Sequence, residues 1–168
     1  MKINKDLEIA ARPEEVWEVI GGTHFGNVAL WSSDVLASQG SVESGRRECE
    51  TSIGGLRETV TRHNSERRQL SYRVVGDKMP FFVKHLENNW DIDPGSSPNH
   101  ARVRMRLEAK LLFPFNLLMA PMMGFQFRSI LKRTLEEFKH FVETGEPHPR
   151  KEEASARAKQ EPLATVAR

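Results

Sequence analysis

Glu58 is the residue whose position most needs a chemical explanation. Side chains alternate along Leu56 to His63, and Glu58 falls on the same side as Leu56 and Val60, the apolar side. A carboxylate placed there must find a cation, hydrogen bonds or water. In a binding protein it would accept a hydrogen bond from a ligand; in an enzyme it would carry a proton. As a structural group it would pair with Arg47 or Arg62, which alternation also turns inward. The ion pair takes precedence, because structural carboxylates outnumber catalytic ones and apolar pockets hold few polar anchors. Tyr72, between Leu70 and Val74, and Asn88, between Leu86 and Trp90, also sit on apolar faces. Each would either orient a ligand at a pocket wall or hydrogen-bond unpaired backbone at a helix start. The apolar candidates for such a wall are Trp90, Met105, Met119, Met123 and Phe127. Thioethers adapt to varied ligand shapes, although methionines on an apolar stripe are more often simply core.

Other chemistries leave no trace. The six histidines and single cysteine, Cys49, lack metal-ligand spacing. No dinucleotide fingerprint, phosphate loop or nucleophile elbow occurs, so no metal and no cofactor are expected. The formal net charge of +2 is too small to argue for nucleic acid. A lone cysteine excludes an intramolecular disulfide and suits a reducing compartment. The N-terminus, MKINKDLEIAARP, has no apolar signal core, and the apolar run Leu111 to Phe125 is too short and proline-broken to span a bilayer. A cytoplasmic location is therefore expected, with room for transient membrane contact but no transmembrane segment. Oligomeric state is not legible.

The elements that must position these residues follow from periodicity. Over 168 residues, 38% hydrophobic and 29% charged, one domain with one core is expected. Ile3 to Ala11 reads as a strand. Pro13 then opens a short helix with Glu14 and Glu15 in its first turn, and a second helical piece runs from His24 to Leu30. From Ser32 the period is two, giving six strands up to Leu111, with Gly54-Gly55 read as a hairpin turn. The last of these strands, with Ala101, Val103, Met105, Leu107, Ala109 and Leu111 on one side, has one face on a core and one in water. Pro121 to Thr144 is a long helix whose apolar stripe runs through Met123, Phe127, Ile130, Leu131, Leu135, Phe138, Phe141 and Val142. It stops at Gly145. Its start lies either at Pro121 or, with a kink, near Asn116. Leu118, Met122 and Phe125 lie off the stripe. A loop or short helix is expected to cover them, since bare apolar patches are uncommon. From residue 150 the chain is polar and is expected to be a disordered tail after a domain spanning 1–149.

This order, with the motifs Ala11-Arg12-Pro13-Glu14-Glu15-Val16-Trp17, Trp31, Gly54-Gly55 with Glu58, Leu70-Ser71-Tyr72-Arg73-Val74, Pro80, Trp90 and Glu143-Thr144-Gly145, resembles the START-like superfamily of polyketide cyclase/dehydrase and lipid-transport proteins. The resemblance implies an α+β helix-grip fold: a seven-stranded antiparallel sheet wrapped around the C-terminal helix, with an apolar cavity between them. It implies a small hydrophobic ligand, such as a lipid, sterol-like or polyketide compound, more firmly than any one reaction. A cyclase, aromatase or dehydratase would use the same cavity, with Glu58, Tyr72 and Asn88 as acid/base or positioning groups. An interaction module would instead use Leu118, Met122 and Phe125. The loops Ser52 to Arg57 and Gly76 to Lys84 are expected at the cavity mouth.

Overall fold

A computed structural model describes residues 1–165, with side chains through 160. The strands are β1 (Lys2–Ile9), β2 (Ala37–Ser41), β3 (Arg46–Thr51), β4 (Gly54–Asn64), β5 (Gln69–Gly76), β6 (Val83–Pro94) and β7 (Ala101–Leu111). They form one antiparallel sheet in the order β1-β7-β6-β5-β4-β3-β2. Between β1 and β2 stand α1 (Pro13–Ile20) and a 3-10 segment, Phe25–Leu30. After β7 come α2 (Phe115–Leu118), α3 (Ala120–Thr144) and α4 (Pro149–Thr165). The chain thus has the expected helix-grip architecture.

Local chemistry accounts for the boundaries. Pro13 occupies the first turn of α1, and the Glu15 carboxylate accepts the Arg12 amide at 3.0 Å, closing that end. Pro121 lies in the first turn of α3, where it breaks no hydrogen bond; the turn before it is the separate α2. Gly145 ends α3 in the left-handed conformation at φ 77°, its N–H donating to Phe141 O at 2.8 Å. The β3–β4 turn differs from expectation. Its tip is Ser52-Ile53, and Gly54-Gly55 already pair with Thr51 and Glu50 as the start of β4. Thr51 closes this turn with its side chain, its Oγ1 donating to Gly54 O at 2.7 Å and accepting the Ile53 amide at 3.3 Å.

The core lies between the concave sheet face and α1, the 3-10 segment and α3. Phe138 is fully buried, with ring centroids 5.1 Å from Trp31 and 5.4 Å from Trp90. Leu131 and Leu135 are buried beside it, while Ile130 on the expected stripe reaches solvent. α3 runs along β1. The Lys139 ammonium donates to Glu8 O at 2.7 Å, and Glu143 accepts the Ala10 amide at 2.7 Å.

The expectation of a disordered tail from residue 150 is corrected: the chain is helical to Thr165, while 166–168 lie outside the described residues. Ionic groups rather than an apolar stripe attach α4. Lys151 is buried and donates to Val35 O at 2.6 Å. Arg150 donates to Glu136 at 2.8 Å. Truncation after Pro149 is therefore expected to lower the melting temperature by several degrees. A charged hydrogen bond contributes about 1.5–3 kcal/mol, and each kcal/mol moves Tm by about 2–4 °C at this size. Calorimetry of the truncated chain checks this; an unchanged Tm would show that α4 is not held.

Candidate functional site

The sequence-predicted residues fall into two groups. The first is a closed cluster under the 3-10 segment. Arg47 and Glu58 are direct cross-strand partners on β3 and β4. Arg47 Nε lies 2.5 Å from Glu58 Oε2, with the two side chains only 2% and 9% exposed. Arg47 Nη1 donates to Phe25 O at 2.6 Å. Its guanidinium lies over the rings of Phe25 at 4.2 Å and Tyr72 at 5.1 Å. Burial works against the Arg47 charge, but Glu58 and Tyr72 more than offset it, so the group is held above its ordinary range. The Tyr72 hydroxyl accepts the Trp90 indole N–H at 3.2 Å. Burial, and then the nearby Glu58 charge, push the Tyr72 phenol up to about 12 and the Cys49 thiol likewise to about 12. Both stay protonated at neutral pH.

Arg62, the other expected partner of Glu58, is turned away. A bulge between Val60 and Arg62 shifts the register, so Arg62 faces Ser71 across the strands and donates to Gln69 on the outer side. His63 takes the place on the α1 side, its ring centroid 5.2 Å from that of Trp17 and tilted 33° to it. Trp90 and Met105 are paired across β6 and β7 and are almost fully buried, part of the packed core.

The second group gathers at the start of α3. Met123 is buried, Met119 and Phe127 are half-buried, and all three belong to the start of α3 or its N-cap. Gly124 faces Met1, whose sulfur lies 3.6 Å from where a Cβ on Gly124 would sit. Met1 O accepts the Ala109 amide, and Ala109 pairs with Leu86. The first half of α3 therefore lies over the Leu86 end of β6, and its second half over the Trp90 end. Leu56 and Val60 on β4, Leu86 on β6, Met79 in the β5–β6 loop and Phe127 on α3 remain only partly buried against the core. Asn88 follows Leu86 on the same face of β6, opposite Tyr72 and Leu107. Its Oδ1 is buried and has no hydrogen-bond partner. The loops Ser52 to Arg57 and Gly76 to Lys84 meet each other: the Asp77 amide donates to Gly55 O at 3.0 Å.

Two hollows lie elsewhere. One of about 410 Å³ sits on the outer face of β2–β4, between Gln39, Glu48, Arg57 and Asp77. Another of about 370 Å³ lies between residues 33–36, α3 and α4, edged by Arg133, Arg150 and Arg157. Neither is lined by any of the eight predicted residues. Among the described residues no three His, Cys, Asp or Glu side chains are placed to hold a metal ion, and no helix is long and apolar enough to cross a membrane.

Glu137 escaped the sequence reading. It is fully buried on α3 and accepts both the amide and the hydroxyl of Ser33, at 2.8 and 2.7 Å. Arg150 Nε lies 3.2 Å from it without hydrogen-bond geometry. The available signal was helical spacing, since Glu137 follows Thr134 by three and precedes Phe141 by four.

A family model described as polyketide cyclase / dehydrase and lipid transport matches residues 1–143. The chain belongs to this family. No curated protein matches the chain in sequence. Solved structures similar to this polyketide cyclase/dehydrase and lipid-transport family member share its fold at low identity. An uncharacterized protein from Bacillus thuringiensis is 18% identical, covering 84% of this chain and 98% of its own, with a TM-score of 0.66. A START superfamily protein from Mycobacterium smegmatis is 14% identical over 80% of this chain and 94% of its own, with a TM-score of 0.60. Norcoclaurine synthase from Thalictrum flavum, in complex with dopamine and hydroxybenzaldehyde, is 15% identical over 84% and 86%, with a TM-score of 0.62. At such identities the likeness carries the fold alone.

Proposed function

We propose that the protein binds or carries a small hydrophobic molecule of lipid, sterol-like or polyketide type. It does so in the cleft between the Leu86–Asn88 segment of β6 and the first half of α3. The observation that carries this reading is the unpaired, buried Oδ1 of Asn88 among half-buried apolar side chains. An unmet buried acceptor costs about 1–3 kcal/mol. A ligand hydroxyl or N–H set against Asn88 would relieve that cost while its apolar body covered Leu86, Phe127 and Met123. Met119 lies at the cleft's outer edge, and Glu58, Tyr72, Trp90 and Met105 support the wall from behind.

Carriage is favoured over catalysis by the state of the titratable groups. Glu58 is spent on Arg47, and Tyr72 and Cys49 are held protonated, so none is placed as a general base. The test is native mass spectrometry of the purified protein for a bound apolar molecule, followed by titration with matched hydroxylated and non-hydroxylated apolar probes. Asn88→Leu is expected to keep or raise the unfolding midpoint. It should weaken the hydroxylated probe by about five- to tenfold, the equivalent of one hydrogen bond, and leave the other probe unchanged. A wild-type protein that binds neither probe and carries nothing would sink the reading.

A further inference from the structure

The end of the molecule where the Gly76–Lys84 loop meets α2 carries bare apolar side chains. Most of the large apolar side chains exposed among the described residues fall here: Phe81, Phe113, Leu117, Leu118, Met122 and Phe125, with Phe113 77% and Phe125 75% exposed. The expected cover over Leu118, Met122 and Phe125 is absent; α2 adds to the patch instead of hiding it. The segments are held together. The Leu112 amide donates to Phe82 O at 2.8 Å, Phe82 stacks on Phe115 at 4.8 Å, and Phe81 meets the same ring edge-on at 5.4 Å. Met119 is itself in helical conformation, and the Met123 amide donates to its carbonyl. Leu118, Met122 and Phe125 therefore continue on one side at helical spacing.

Basic side chains predominate around this patch. No aspartate or glutamate occurs from Leu111 to Leu135, while Arg128, Lys132 and Arg133 do. The Arg128 guanidinium lies back over Gly124, with Nη1 3.7 Å from a Cβ position there, toward the patch. Lys84 and Lys110 are exposed at the same sheet end, because Val83 pairs with Leu111 and His85 with Lys110. Lys78 lies beside the β3–β4 hairpin at Gly54. The adjoining acid, Asp77, has Arg57 at 3.7 Å. Aromatic and leucine side chains inside a cationic rim match a bilayer surface, where rings enter the acyl boundary and long basic side chains reach headgroups. A self-complementary or protein-facing apolar surface gives no reason for basic residues to predominate in the rim.

We infer that this end of the protein docks on membranes bearing anionic lipid headgroups. Phe81, Phe113, Leu117, Leu118, Met122 and Phe125 enter the interface, and Lys78, Lys84, Lys110 and Arg128 meet the headgroups. The inference needs no ligand in the cleft and stands apart from that reading. The test is flotation of the full chain with phosphatidylcholine vesicles, with and without phosphatidylserine, at low and high salt. The wild type is expected to float with phosphatidylserine vesicles and to release at high salt. The double variant Phe113→Ser, Phe125→Ser should lose about tenfold or more in apparent affinity. Lys84→Gln with Lys110→Gln should lose roughly fivefold per charge and much of the salt dependence. All four positions are exposed, so folding is expected to persist, and the unfolding midpoint checks it. Three results would overturn the inference: no flotation of the wild type with phosphatidylserine vesicles; flotation of the serine variant equal to the wild type; or a wild-type dimer in light scattering that the serine variant turns into a monomer, which would make a second copy the occupant.

Discussion

Arg47→Met is expected to destabilise the protein by about 3–5 kcal/mol, because it strands the Glu58 carboxylate in a closed cluster without its cation. The geometry makes the loss asymmetric. Glu58→Gln leaves Arg47 with Phe25 O at 2.6 Å and two ring faces, so it should cost less. The double variant Arg47→Met, Glu58→Leu should recover most of the stability lost by Arg47→Met alone, since no charge then remains to be desolvated. Urea unfolding of the three variants measures all of this. If Arg47→Met falls within about 1 kcal/mol of the wild type, as for an ordinary surface pair, the pair is not the structural unit described. Apolar probe binding should be little changed in Glu58→Gln, because the Glu58 side chain is only 9% exposed and is paired with Arg47.

Phe138→Ala is expected to cost about 3–5 kcal/mol, the range for emptying a fully packed aromatic site. Phe138 touches Trp31 and Trp90 and is without exposure, so its loss leaves a void that two large rings border. Phe127→Ala should cost well under half as much, because that side chain is already only half-buried and borders the proposed cleft. Met123→Ala should fall between the two. The order of binding effects reverses: Phe127→Ala and Met123→Ala should weaken an apolar probe dye, while folded Phe138→Ala should not. Denaturant unfolding and dye titration of the three variants decide the matter. Equal destabilisation by all three, with no dye bound by the wild type, would mean that the first half of α3 is solid core and that no cleft exists.

The parts of this fold that sequence made legible are those where one pattern runs unbroken. β7 alternates from Ala101 to Leu111 without a slip, and α3 keeps its stripe to Phe138, so both could be placed with their inward faces. Legibility fails where one residue changes the count. The bulge before Arg62 inserts a single position into β4 and sends Arg62 outward, which nothing in the residue types announces. It fails again where charges rather than apolar groups do the joining. α4 has no apolar stripe, yet Lys151 and Arg150 dock it, and Glu137 ties α3 to Ser33 from a fully buried place. For the site, the inward parity of Glu58, Tyr72 and Asn88 was readable. That Asn88 would be the unpaired one was not, because satisfaction depends on neighbours from distant strands.

The strand order also bears on how the chain can be assembled as it is made. Five of the six strand pairings join neighbours in sequence; the remaining one joins β1, made first, to β7, the last strand made. Ile9 must wait for Ala101, and Lys2 for Glu108. At about 5–20 residues per second, synthesis leaves β1 without its partner for roughly 5–20 s. The charges of Lys2, Lys5, Asp6 and Glu8 suit a strand that must stay solvated and unpaired for that long. α3 emerges later still, and it is fastened to the end of this same strand through Lys139 and Glu143. The helix made late is thus anchored on the strand made earliest, so the ribosome must release most of the chain before either end of it can be locked.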